Sequence, residues 1–396
     1  MATEFARALA RQQAESPKFR VVFLSSHASI SAALADPQMT DLVTETGGCH
    51  LVRYAAPKEK ASPCCRLRHH VRGVRRIVRR LAKTERIIAV SGHSPLQTLG
   101  AIQGLRLAGI RCPVTYVVHA PFSQTILAGR HDLPDVEKQR DRLSRVRFHL
   151  RTCCATTCAH SLEKLVLQRC SRIQALSRYS RDLLEKEYGT EVGAKAQILP
   201  GWVDMQRFQL FNRQDARARL PQPWQTDDAI FFSLCRNESR AERAILLEAV
   251  AQLRNQQPAR PFRVLIGGNA FQPTEHGRET AVQFVGRISE AELPLAYAAA
   301  DAFIVPTHRN GGTGLSVLES FATGTPVIAP DVGDFPERMA RTGRDWLFSP
   351  GDARSLAACM SRVLSGELRT DVAPREVASQ YAESVLFPSW SDLIVS

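Results

Sequence analysis

Residues 303–337, FIVPTHRNGGTGLSVLESFATGTPVIAPDVGDFPE, decide the fold. The run 303–306 is short and apolar, the pattern of a buried parallel strand, and Val327-Ile328-Ala329 is a second such run. Between them the chain turns polar and glycine-rich, with Gly311, Gly312 and Gly314 flanking Thr313. From Leu315 onward the apolar residues Leu315, Leu318 and Ala322 recur at helical spacing, and Gly324 then Pro326 stop the helix. The unit is strand, glycine loop, helix, strand. It brings a loop to the positive end of a helix, where unpaired backbone N–H groups attract phosphate. Glu319 lies about one and a half turns in, so one carboxylate sits near any ligand at the helix start.

Strand-like and helix-like stretches alternate on both sides of this unit. Upstream, strands are expected at 20–24, 50–54, 87–90, 114–118, 173–176 and 196–199. Helices are expected at 3–13, 66–83, up to about Leu107, at 162–167 and at 177–188. Residues 123–150 are polar, basic and poor in pattern, which suits a mobile loop and helix over a site. Pro200-Gly201-Trp202-Val203-Asp204 breaks the run, and a polar stretch follows at 210–226. The alternation then restarts with strands at 230–234, 263–266 and 282–285, and helices at 243–255, 290–300 and 352–364. This is an α/β chain of two Rossmann-like, doubly wound domains facing a cleft. The expected division is 1–203, 204–385 and a partial C-terminal helix at 386–396.

Composition agrees with a globular protein: 44% of residues are hydrophobic and 23% charged. No apolar run approaches the roughly 20 residues needed to span a bilayer. The start, MATEFARALARQQ, carries charges and lacks the apolar region of an export signal, so a cytoplasmic protein is expected. The ten cysteines include adjacent pairs, Cys64-Cys65 and Cys153-Cys154, which suit reduced thiols better than a disulfide framework. Cys153, Cys154, Cys158 and His160 match no common zinc spacing, and they are read as small buried hydrophobes on a helix. No metal is expected.

The net charge of +13 is uneven. Residues 1–200 hold 32 Lys and Arg against 16 Asp and Glu, while the remainder is slightly acidic. One half therefore meets something anionic. Much of the charge lies at 66–83, where Leu67, Val71, Val74, Val78 and Leu81 form a core stripe and Arg68, Arg72, Arg75, Arg76, Arg79, Arg80 and Lys83 cover the rest. Such a helix can present a solvated outer face or a contact for anionic lipid headgroups. Nucleic acid is not expected, because no aromatic platform or recognition motif accompanies the charge.

The string from Gly311 to Ala329 closely resembles the donor-binding element of retaining nucleotide-sugar glycosyltransferases of family four (glycosyl transferases group 1), which have the GT-B fold. Three other stretches resemble the same family. Residues 172–184 look like its strand and helix before the interdomain hinge, and 198–208 look like the hinge, with Gly201-Trp202 where Asn-Gly is usual. Val285-Gly286 to Leu293 look like the loop that holds the nucleotide base.

The resemblance implies a two-domain enzyme that moves a sugar from a nucleotide diphosphate to a glycan or lipid-linked acceptor with retention, in cell-envelope polysaccharide or glycoconjugate synthesis. It implies no cofactor beyond that donor, and work at the inner face of the cell membrane. It places donor phosphates at Thr313, Gly314 and Leu315, the ribose hydroxyls at Glu319, and the diphosphate at Arg236. The family's second cation, a lysine, has no lysine here; Arg240 or Arg243 stands nearest. His119, in Val117-Val118-His119-Ala120-Pro121, becomes the candidate catalytic residue, a positioning and electrostatic group at the transferred sugar.

Two features depart from the family pattern. Gly311 stands where the first glutamate of a paired-glutamate motif would contact the sugar. The sequence also begins at what looks like the helix after the family's first strand and Gly-Gly loop. A non-catalytic nucleotide-sugar-binding protein is the competing expectation, followed by a sugar-nucleotide epimerase.

Overall fold

The computed structural model describes residues 21–27, 49–55, 63–121, 142–235, 240–258, 260–268, 281–307 and 314–395. In chain order the first half holds β1 (Val21–His27), β2 (Cys49–Ala55), α1 (Pro63–Leu81), β3 (Val90–Gly92), α2 (Pro95–Leu107) and β4 (Val114–Val118). It continues with α3 (Arg142–Arg169), β5 (Arg172–Ala175), α4 (Arg178–Tyr188), α5 (Thr190–Lys195) and β6 (Ala196–Ile198). β1 and β2 pair in parallel, and β3-β4-β5-β6 form a parallel sheet in that order. α1 and α2 pack closely because Gly100 and Gly104 lack side chains. A Cβ at Gly100 would lie 2.8 Å from the Val71 carbonyl oxygen, and one at Gly104 2.8 Å from Val78 Cβ.

The second half holds α6 (Arg213–Arg219), β7 (Ala229–Leu234), α7 (Arg240–Asn255), β8 (Phe262–Gly267), β9 (Val282–Gly286) and α8 (Leu293–Ala299). Then come β10 (Ala302–Ile304), α9 (Leu315–Ala322), β11 (Val327–Pro330), α10 (Phe335–Met339) and β12 (Leu347–Phe348). α11 (Ala353–Ser365), α12 (Pro374–Ser379) and α13 (Glu383–Val395) complete it. Its six-stranded sheet runs β12-β11-β10-β7-β8-β9, all parallel. The chain starts at β7, winds outward through β8 and β9, then returns to lay β10 on the other side of β7. That reversal opens a crevice at the carboxyl ends of β7 and β10, the place where open α/β sheets bind ligands. The crevice lies at the stretch that opened the sequence reading.

Beneath the crevice is an aromatic cluster. Tyr297 and Phe303 meet edge to face with centroids 5.0 Å apart, and Phe232 lies 5.6 Å from Tyr297 and 5.5 Å from Phe303. All are essentially solvent-free. On the opposite side, buried Arg217 ties α6 to the sheet. Its Nη2 donates to Asp301 Oδ2 at 2.8 Å, its Nε to the Ala299 carbonyl at 3.0 Å, and Nη1 to the carbonyls of Thr226 and Asp228. Asp301 Oδ2 also accepts from the Ile230 amide at 2.9 Å.

Among the described residues, the domains meet at α13 and at the cleft. α13, at the end of the chain, packs on the first domain: Trp390 and Phe387 lie edge-on to Trp202, and the Leu393 carbonyl accepts from Thr115 Oγ1 and Arg172 Nη1. At the cleft, the Glu337 carboxylate of α10 accepts from the backbone amides of Arg178 and Tyr179, at 2.9 and 3.5 Å, at the start of α4.

Several expectations need correction. The strand read at 87–90 is Val90–Gly92. Its ladder with β4 starts at Val114 because Pro113, with no N–H, precedes it, and Ile88 is 39% exposed. The helix read at 162–167 is a 28-residue helix beginning at Arg142. Residues 142–150 of the patternless stretch are therefore its first turns, and 122–141 lie outside the described residues. Cys153, Cys154 and Cys158 do sit on that helix, but exposed rather than buried. The last helix begins at Glu383, before the expected 386. The helix read at 3–13 lies outside the described residues.

Candidate functional site

The candidate donor side is built on α9. Gly314, its N-cap, has φ 58° and ψ 18°, a left-handed conformation that suits glycine, and its carbonyl accepts from Val317 and Leu318 at 3.1 and 3.2 Å. That turn sets the Leu315 end of α9 toward the crevice. One turn on, Glu319 is half-buried and held by the Tyr297 hydroxyl, which donates to Glu319 Oε2 at 2.9 Å. Tyr297 is fully enclosed; burial, then the facing carboxylate, pushes its hydroxyl well above the usual phenol range, so it stays a donor. The carboxylate is thus fixed before any ligand arrives. On the neighbouring loop, Ser289 and Glu292 bind each other's backbone amides at the start of α8, at 3.2 and 3.1 Å. This gives the stretch that resembles a base-holding loop a defined turn.

The other predicted donor residues divide. Arg236, Gly311 and Thr313 lie outside the described residues. β7 ends at Leu234, two residues before Arg236, and Arg240 opens α7.

Across the cleft, His119 follows β4 and His93 follows β3, and the pairing of Gly92 with Tyr116 puts both at the carboxyl edge of one sheet. Their rings stack with centroids 5.3 Å apart, and His93 Nδ1 lies 3.1 Å from His119 Nε2. Ser91 Oγ is 3.4 Å from His93 Nε2, completing a short relay. Burial lowers the pKa of His93 to about 3, with the His119 charge adding to it, and burial lowers that of His119 to about 4. Both imidazoles are therefore neutral at physiological pH. One donates and the other accepts along the 3.1 Å contact, so the pair is hydrogen-bonded and uncharged. Nothing in the local sequence around His93 marks it as a site residue; the register of β3 on β4 is what brings it to His119. Among the described residues no group of His, Cys, Asp and Glu could hold a metal.

The helix at 66–83 shows the expected stripe. Val74 and Val78 are buried, and Arg72, Arg76, Arg79 and Arg80 are exposed. No described helix is long and apolar enough to cross a membrane.

With this geometry in view, comparison with known proteins is informative. Residues 229–366 match the family model described as glycosyl transferases group 1. The chain is 30% identical over 249 residues to D-inositol 3-phosphate glycosyltransferase of Nocardioides sp., a match covering 58% of this chain and 52% of that one. It is 30% identical over 176 residues to the GDP-mannose-dependent alpha-(1-6)-phosphatidylinositol monomannoside mannosyltransferase of Mycolicibacterium smegmatis, covering 41% and 45%. The chain thus spans about half the length of the curated relatives it matches. Among solved structures it aligns with sucrose-phosphate synthase of Thermosynechococcus elongatus at a TM-score of 0.70 and 20% identity, covering 98% of this chain and 90% of that one. Anabaena HepE in complex with UDP and glucose aligns at 0.66 and 16%, covering 95% and 99%. The fold is the two-domain GT-B arrangement of these glycosyltransferase structures.

Proposed function

We propose that this protein is a retaining GT-B glycosyltransferase that moves a sugar from a nucleotide diphosphate to a glycan or lipid-linked acceptor. The observation that carries the reading is the fixed Glu319 carboxylate, set by buried Tyr297 one turn into α9, beside the crevice where the strand order reverses. A carboxylate there suits the two hydroxyls of a ribose, and the amides at Gly314 and Leu315 suit phosphate oxygens. In this reading Arg236 and Arg240 supply positive charge for the diphosphate, and Gly311 and Thr313 take part in binding the donor. The names of the relatives, which speak of inositol 3-phosphate and a phosphatidylinositol mannoside, support a phosphorylated or lipid-linked acceptor. The HepE complex supports a nucleotide-sugar donor.

In the proposed reaction the bond from the anomeric carbon to the diphosphate oxygen breaks, and the acceptor hydroxyl oxygen bonds to that carbon on the same face. The hydroxyl proton passes to the departing phosphate oxygen. His119, kept neutral by burial and oriented by His93, lines the transferred sugar and stabilises developing charge without serving as an obligatory base. No metal is required by this scheme. The setting is cytoplasmic, at the inner face of the membrane, where the exposed arginines of α1 would gain about 1 kcal/mol each beside anionic lipid.

A non-catalytic nucleotide-sugar-binding protein is the second reading, favoured by Gly311 in place of a sugar-contacting carboxylate. The decisive experiment incubates the protein with a panel of radiolabelled UDP-, GDP- and ADP-sugars. Hydrolysis or transfer from any donor supports the enzyme, and binding without turnover supports the second reading. No binding to any donor would overturn both.

A further inference from the structure

Arg338 is a buried guanidinium at the mouth of α9 that the donor reading does not use. Its side chain is 2% exposed, and its Nε donates to Asp334 Oδ2 at 3.1 Å. Both terminal nitrogens, Nη1 and Nη2, are buried and have no hydrogen-bond partner among the described residues. A buried guanidinium left with a whole edge unpaired is costly, and native proteins keep such arrangements rarely. The group is lodged against the cap of α9: a Cβ on Gly314 would lie 2.5 Å from Arg338 Nε and 3.3 Å from Cζ. Any side chain at position 314 would therefore displace the guanidinium. Tyr381 supports it from another side, with Cζ 5.7 Å from the ring centroid. Asp334 occupies only one edge of the fork, so the two outer nitrogens keep four N–H donors in the arrangement that grips an oxyanion with two bonds.

We propose that Arg338 is an oxyanion-binding residue that closes a phosphate seat with the first backbone amides of α9. Lodged against the cap of α9, it would supply the second cation for which the family resemblance offers only Arg240 or Arg243. The identity of the anion as the donor's diphosphate rests on the function proposed above; the seat itself does not. An anion there would pair Nη1 and Nη2, which no described residue does, while the α9 amides share its charge.

The test compares the wild-type protein with Arg338→Met, and with Asp334→Asn/Arg338→Met, which removes the ion pair as a unit and so guards against misfolding. Binding of UDP, GDP, ADP, pyrophosphate and the free nucleosides is followed by titration calorimetry, and melting by thermal scanning. Arg338→Met should weaken pyrophosphate, and whichever nucleoside diphosphate the wild type prefers, by tenfold or more. Nucleoside affinity should stay within twofold in both variants; the melting temperature should fall in Arg338→Met, which leaves Asp334 without its partner, and hold or rise in the double variant. Wild-type affinity for pyrophosphate and the diphosphates in both variants would overturn the proposal, as would a wild-type protein that binds neither. A wild type that binds pyrophosphate through Arg338 but no nucleoside diphosphate would keep the seat and remove the donor reading.

Discussion

His93 and His119 show how little of a site can rest on spacing along a sequence. They are 26 positions apart, yet the ladder between β3 and β4 puts their nitrogens 3.1 Å from one another. Because each imidazole is buried, an unfolded chain takes up protons near pH 6.5 that the fold refuses until about pH 4 for His119 and about 3 for His93. The unfolded state therefore binds more protons between these limits. The stability from keeping the pair neutral is full above about pH 6.5 and is lost as pH falls toward 4. Urea denaturation of the wild type should show this decline, and His93→Gln/His119→Gln should show a shallower one. In the folded protein, His93→Ala should admit water and raise the His119 pKa from about 4 toward its ordinary value, read from imidazole NMR shifts against pH. Glu319 was legible from its place on a glycine-capped helix, but its anchor was not. Tyr297→Phe should weaken nucleotide binding by about 1.5–3 kcal/mol if the phenol orients the carboxylate, measured by calorimetry against an unchanged fold.

At the scale of elements, apolar runs flanked by glycine located most of the described strands, because a strand covered on both faces has to be apolar throughout. Three features escaped for specific reasons. Pro113 shifted the start of β3 by withholding a donor from the ladder. On α3 the buried positions Ala159, Glu163, Val166 and Leu167 do follow helical spacing, but a glutamate interrupts the apolar stripe. Glu163 is tolerated there because Tyr116 and Tyr188 donate to its two oxygens at 2.7 and 2.6 Å. No local pattern announces that network. Arg338 escaped for a similar reason: it lies on the five-residue helix α10, and only the tertiary fold sets it against Gly314. The Arg217–Asp301 pair is another case of buried charge, and here the partners are complete. Arg217→Met would leave Asp301 with the Ile230 amide and with Arg213 and Arg260, which reach it from half-exposed positions at 3.0 and 3.3 Å. The expected loss is about 3–5 kcal/mol, the usual cost of removing one member of a buried pair, read as a lowered urea midpoint with an unchanged slope.

At the scale of the molecule, the two sheets are joined by elements that cross between them. α13 follows the second domain in sequence yet buries Phe387, Trp390, Leu393 and Ile394 against Leu199 and Trp202. Its Leu393 carbonyl accepts from residues on β4 and β5, the strands behind His119 and α4. The end of the chain therefore braces the sheet that carries the histidine pair, while Glu337 touches α4 from the cleft side. Truncating Trp390, which is 2% exposed at the centre of this contact, removes a large buried side chain and leaves a cavity beside Trp202. Trp390→Ala should cost about 3–5 kcal/mol, and the loss should fall unevenly. The aromatic core around Phe232, Tyr297 and Phe303 is a separate cluster and does not include α13. Hydrogen exchange should therefore speed up in β4, β5 and β6 of the variant while β7, β8 and β10 keep their wild-type protection. On the proposed function, donor binding by the second domain should persist, whereas transfer should fall because His119 loses the sheet beneath it. Equal loss of protection in both sheets would mean instead that the domains unfold as one unit and that α13 braces neither in particular.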